Sequence, residues 1–223
     1  MVNDPTDMAV LAAVPCYPVQ PSGRSAEIDA LRTVRAGHGY IVGRDGMMLI
    51  LKRPWLDFAA VVTSAPICHL PYGSIGEQRM ILACGLIPHR MLGEVIQHFE
   101  AALPNEAAAF ILWKEHTREF SIEYPPIDEA SPSRLVYRTP HPGPGVYVIC
   151  DIHSHGMMPA FFSATDDADD AHSTKIAIVI GRVGHEKGPT HEVRLCAGGM
   201  FIPLPRLPFA EPVQPEEGFN YAI

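Results

Sequence analysis

An apolar run, Val146-Tyr147-Val148-Ile149-Cys150, leads directly into Asp151-Ile152-His153-Ser154-His155. In an extended chain, residues two apart point the same way, so the His153 and His155 imidazoles can converge on one ion, which is half of a zinc site. Farther on, Ser163-Ala164-Thr165-Asp166 has the S-x-x-D spacing of a helix start, with Ser163 able to cap and Asp166 in the first turn. A carboxylate fixed there can turn back to the histidines as a third ligand. Three protein ligands leave a fourth position for water, the arrangement of catalytic zinc, which lowers the pKa of that water to about 7. Such a water needs a proton acceptor, and the leaving group needs a donor. Glu106 is the candidate for both, because it lies where an amphipathic segment ends and the apolar run 107–113 begins.

The same residues have plainer readings. Asp166-Asp167-Ala168-Asp169-Asp170 is also what an acidic first helical turn looks like, and Asp166 can serve both purposes. Asp167 and His172 are alternative third ligands, although His172 lies well over a turn beyond Asp166. Glu115, Glu119 and Glu123 are near Glu106 in sequence and compete with it. Cys150 is an odd number of residues from both histidines, so in an extended strand its thiol faces away from them. His38, His69, His89, His98, His116, His141, His185 and His191 show no ligand spacing.

Around these residues the chain supplies short apolar segments. Tyr40-Ile41-Val42 and Met48-Leu49-Ile50-Leu51 flank Arg44-Asp45-Gly46, which predicts a β-hairpin. Segments 58–62 and 79–86 read as further strands, so residues 1–87 are expected to form a β-rich N-terminal extension or small domain. Its first 35 residues, broken by Pro5, Pro15, Pro18 and Pro21, are expected to be a loosely packed lead-in with one short helix at 26–35. Leu92, Val95, Ile96, Phe99 and Leu103 recur at spacings of three and four, predicting an amphipathic helix that Pro104 ends. Strands are expected at 107–113, 119–124, 146–150, 175–180, 193–195 and 200–202, with a proline-rich loop at 125–144 enclosing a short run at 134–137. Residues 88–202 are thus the expected metal-binding domain and 203–223 a proline-rich tail; the fold class is α+β.

The 223 residues are 47% hydrophobic and 19% charged, which excludes a disordered chain or a coiled coil. A formal charge of −8 without a basic block excludes a broad nucleic-acid surface, whose affinity rests on cations that release condensed counterions. Cys16, Cys68, Cys84, Cys150 and Cys196 are far apart and include no C-x-x-C pair, so reduced, buried thiols are expected. Asp4 and Asp7 stand where a signal peptide would carry positive charge, and no apolar stretch reaches the ~18 residues of a membrane span. The expected location is the cytoplasm.

Taken in order, Glu106, His153-x-His155 and Ser163-x-x-Asp166 resemble the JAMM motif of the JAB/MPN metalloprotease family, and Leu103-Pro104-Asn105-Glu106 resembles the helix end where that family places its glutamate. The resemblance covers residues 88–202. It implies a cytidine-deaminase-like mixed sheet flanked by helices, with Zn2+ bound by His153, His155 and Asp166. It further implies that Glu106 acts as general acid and base and that Ser163 helps hold the tetrahedral intermediate. The activity implied is hydrolysis of a peptide or isopeptide bond after the tail of a ubiquitin-like protein. Where the family has proline after the second histidine, this chain has Gly156, which predicts a more mobile loop. The whole chain is similar to the JAB-domain member of the PRTRC cassette of ParB-related and ThiF-related proteins. That likeness implies a ubiquitin-like protein or its conjugate, and a ThiF-related activating enzyme, as partners. A non-catalytic JAB/MPN interaction scaffold is the alternative, and the full ligand set speaks against it.

Overall fold

A computed structural model of the chain describes residues 14–23, 25–64, 71–211 and 219–221. Cys68 and His69 lie outside the described residues. The architecture is α+β, in two units: Met1–Ala83 with Phe219–Ile223, and Cys84–Gly218.

The first unit holds β1 (Cys16–Pro18), α1 (Ala26–Thr33), β2 (Gly37–Gly43), β3 (Gly46–Arg53), β4 (Leu56–Thr63), β5 (Arg79–Leu82) and, from the far end of the chain, β14 (Phe219–Tyr221). These strands form one sheet in the order β1-β2-β3-β4-β5-β14. The predicted hairpin is β2–β3, closed by the Gly43–Gly46 pair around Arg44-Asp45. From residue 14 on, the described part of the lead-in is better packed than its prolines imply, because β1 is an edge strand, where proline breaks no interior ladder. Val19, Ile28 and Leu31 are buried with Ile41, Met48 and Ile50 in one apolar cluster.

The second unit contains α2 (His89–Ala102), β6 (Ala108–Lys114), β7 (Glu119–Glu123), β8 (Ile127–Ser131), β9 (Arg134–Tyr137), β10 (Val146–Ser154), α3 (Ala164–Asp170), β11 (Lys175–Gly181), β12 (Thr190–Ala197) and β13 (Met200–Pro203). Its sheet runs β13-β12-β11-β10-β6-β7, while β8 and β9 form a separate hairpin. Helix α2 buries Met91, Val95 and Phe99, one residue per turn on a single face. Strands β10 and β11 are parallel, so the chain must cross over between them, and α3 lies in that crossover. Strand β8 was not legible in the sequence: Ile127-Asp128-Glu129-Ala130-Ser131 has no apolar run, and four of its five residues are exposed. Within the segment read as a tail, Leu204, Phe209 and Ala210 are buried, and Ala210 N–H donates to the Ile87 carbonyl at 2.8 Å. No helix among the described residues is long and apolar enough to cross a membrane.

Candidate metal centre

Strand β10 continues past the apolar run and includes His153, and His155 extends the ladder by donating its N–H to the Ile180 carbonyl of β11 at 2.9 Å. Between the two histidines, Ser154 is fully buried; its hydroxyl accepts the Ala107 N–H at 2.9 Å and its own N–H donates to the Ala107 carbonyl at 2.8 Å. This two-way lock sets the start of β6, and with it Glu106, beside the end of β10. Glu106 is also held from the other side, its N–H donating to the Ser131 carbonyl of the hairpin at 3.0 Å.

Ser163 caps α3 with a reciprocal box. Its side chain accepts the Asp166 N–H, while Asp166 Oδ2 accepts both the Ser163 N–H and the Ser163 hydroxyl at 2.6 Å. With Oδ2 so occupied, Oδ1 is the oxygen that faces His153, 3.4 Å from its Nε2. One ligand atom each from His153, His155 and Asp166 lie within 4.8 Å of one another. Two imidazoles and a carboxylate are the donor set of open zinc sites. Burial and the neighbouring His153 hold the His155 pKa below its ordinary value, against the opposing pull of the Pro159 carbonyl and Asp166, which favours the neutral imidazole that a metal needs. The Pro159 carbonyl accepts a hydrogen bond from the His155 ring, the kind of support usual behind a metal-binding histidine. The residues present therefore fit a zinc ion.

Glu106, His153, His155, Ser163 and Asp166 all line one open groove of about 720 Å³. Burial, and then the negative charge of Asp166, push the Glu106 carboxyl up to about 7. The competing residues are elsewhere engaged. Asp167 binds Arg194 at 2.5 Å, Glu115 accepts from the Tyr147 hydroxyl at 3.2 Å, and Cys150 is fully buried with its thiol pKa pushed well up by that burial. His172, Glu119 and Glu123 do not line the groove. Cys84 and Cys196 are likewise buried free thiols, raised to about 12 by burial, and Cys16 is a half-buried one.

The loop after His155 departs from the expectation of mobility. Gly156 has φ +52, the Val183 N–H donates to its carbonyl at 2.9 Å, and the Arg182 N–H donates to the Met158 carbonyl at 2.7 Å. Gly181, at the end of β11, is approached so closely that a Cβ there would lie 2.2 Å from the Ala160 nitrogen. Glycine at 156 thus provides a left-handed turn that proline, fixed near φ −65°, cannot make. The stitched loop displays Met157, Met158 and Phe161 to solvent, with the Phe161 ring edge-on to His155 at 4.4 Å between centroids.

Sequence reading overlooked the ionic cluster beside these residues, formed by Asp151, Asp170, Lys175 and Arg194. Its signal was charge in the wrong place: Asp151 and Arg194 interrupt strands whose neighbours are apolar and buried.

Residues 4–83 match the family described as a domain of unknown function (DUF2016). The solution structure of protein DSY2949 from Desulfitobacterium hafniense is similar at 16% identity and a TM-score of 0.40, covering 52% of this chain and 87% of that one. No curated protein matches the chain. Residues 88–196 match the family of prokaryotic homologs of the JAB domain, and this part of the chain is therefore a JAB-like domain.

Proposed function

We propose that this domain is a zinc-dependent hydrolase that cleaves a peptide or isopeptide bond after the tail of a ubiquitin-like protein. The observation that carries the reading is the convergence of His153, His155 and Asp166 in one open groove with a half-buried Glu106 beside them. His153, His155 and Asp166 would hold Zn2+. When bound, zinc supplies Lewis acidity, acidifying water and polarising the scissile carbonyl. Glu106 takes a proton from the attacking water as a carboxylate and returns it to the departing nitrogen, so one group is base and then acid and ends as it began. Its carboxyl, pushed up to about 7, can both take and give a proton near neutrality. Ser163 lines the groove with its hydroxyl donating to Asp166 Oδ2, and it helps hold the tetrahedral intermediate by turning that one proton from Asp166 to the substrate oxygen. Exposed Met158 and Phe161 on one lip and Val136 on the hairpin side offer apolar contacts to an extended tail.

The reading places the protein in the cytoplasm, working on a ubiquitin-like conjugate that a ThiF-related activating enzyme of a PRTRC cassette would prepare, with no nucleic-acid partner. Its test is metal analysis of the purified protein together with cleavage of a ubiquitin-like protein fused through its tail to a reporter. One zinc per chain, with cleavage lost in Glu106→Gln, supports it. If zinc-loaded wild type cleaves nothing and partner binding survives His153→Ala, the non-catalytic scaffold replaces it.

A further inference from the structure

Helix α3 carries Asp166, yet it has no apolar anchor. It is seven residues long, Ala164-Thr165-Asp166-Asp167-Ala168-Asp169-Asp170, and its one buried residue is Asp170. A helix this short does not persist on propensity, and helices normally dock by an apolar stripe that this one lacks. Its attachment is ionic. Asp170 Oδ1 accepts from Lys175 Nζ at 2.8 Å and Oδ2 from Arg194 at 2.7 Å, while Arg194 also binds Asp167 at 2.5 Å. The Arg194 guanidinium packs on the rings of both Phe162 and Phe201, 3.8 and 4.0 Å from their centroids, so it has little freedom to follow a moving helix. Lys175 also binds Asp151, two residues before His153 on β10, and Asp151 accepts from the Tyr137 hydroxyl of the hairpin at 2.9 Å. One lysine therefore joins the strand of the histidines to the helix of the carboxylate.

We infer that Asp170 and Lys175 are positioning residues for Asp166, holding the helix that carries it in register with His153. This rests on the zinc-hydrolase reading only in that Asp166 is taken as a ligand. Burial opposes the charged form of Asp170, yet Lys175 and Arg194 hold its pKa below the usual carboxylate range. Ion pairs this buried seldom raise stability over an apolar replacement, so their presence here is better explained by the geometry they impose.

The experiment is zinc affinity, measured by chelator competition, in Asp170→Asn and Lys175→Met, alone and in an Asp166→Ala background, with cobalt(II) spectra of each. Both single variants should bind zinc about 10- to 100-fold more weakly, the usual cost of losing support behind a metal ligand. Their cobalt bands should shift toward those of Asp166→Ala. In the Asp166→Ala background the added substitution should change affinity by less than about twofold, because the residue it acts through is gone. Wild-type affinity in the single variants, or a further full-sized loss in the Asp166→Ala background, overturns the inference while leaving the zinc site standing. Should both variants fail to fold, amide exchange in metal-free wild type decides: the Asp167 N–H, bonded to the Ser163 carbonyl at 3.0 Å, must be protected, and loop-like exchange there rejects the inference. No zinc in wild type removes the hydrolase reading first, and this inference with it.

Discussion

His153 and Asp166 face each other across 3.4 Å, but different forces bring them there. His153 sits in a strand with hydrogen-bonded neighbours on both sides, Ala108 of β6 and Val179 of β11, between the buried Ile152 and Ser154. Asp166 sits in the first turn of a short, mostly exposed helix, tied down by a capping box and by charges at the helix's far end. The histidine half of the centre is thus built from backbone ladder and apolar burial, and the carboxylate half from side-chain electrostatics. Ladders tolerate changes of pH, while ion pairs need their carboxylates ionised, so the two halves should fail under different insults.

The largest expected effect treats them alike. His153→Ala, His155→Ala and Asp166→Ala should each be purified with well under one zinc per chain, read by metal analysis, the two remaining ligands binding only weakly when metal is added, while circular dichroism shows the fold retained, because the core is large without the ion. Zinc retained in Asp166→Ala would mean that the carboxylate half is no ligand. Next, Glu106→Gln should keep zinc and lose hydrolysis of a ubiquitin-like tail by about 100-fold, the effect of one positioned acid or base. Activity within a few fold of wild type would remove Glu106 from the chemistry.

A smaller effect belongs to the strand side. Gly156→Ala should cost about 1–2 kcal/mol in urea unfolding, since a side chain is forced into the left-handed region and its Cβ would meet the Pro104 carbonyl at 3.1 Å. Gly156→Pro should cost more and should not raise turnover. Unchanged stability in both would mean that the turn is not as described.

The smallest effect is a pair of opposed pH dependences in the metal-free protein. Asp170 is held low, so its contribution is present above the usual carboxylate range and is lost as acid takes the pH through its depressed value. Glu106 is raised to about 7, so its contribution is present below the ordinary carboxyl pKa and is lost as the pH rises through 7. Glu106→Gln should therefore flatten the decline in melting temperature between about pH 5 and 8, and Asp170→Asn should flatten the decline in acid. The reverse assignment would contradict the environments described.

Residue spacing alone determined a good deal: the β2–β3 hairpin, the α2 helix, the apolar run of β10, the α+β class, and the pairing of His153-x-His155 with Ser163-x-x-Asp166. These are local, because periods of two and 3.6 and a capping box are each written within a few residues. Even there the limits show: α2 buries Met91, which the spacing passed over, and β8 has no apolar pattern to read. What only the tertiary structure decided is which groups share a space. Ser154 locking Glu106's segment to β10, Lys175 reaching both Asp151 and Asp170, and a turn at Gly156 that is stitched rather than loose all join residues far apart in the chain or depend on a backbone angle. No sequence period encodes such contacts, since they arise only when strands from distant segments fall into register and bring their side chains to the same face.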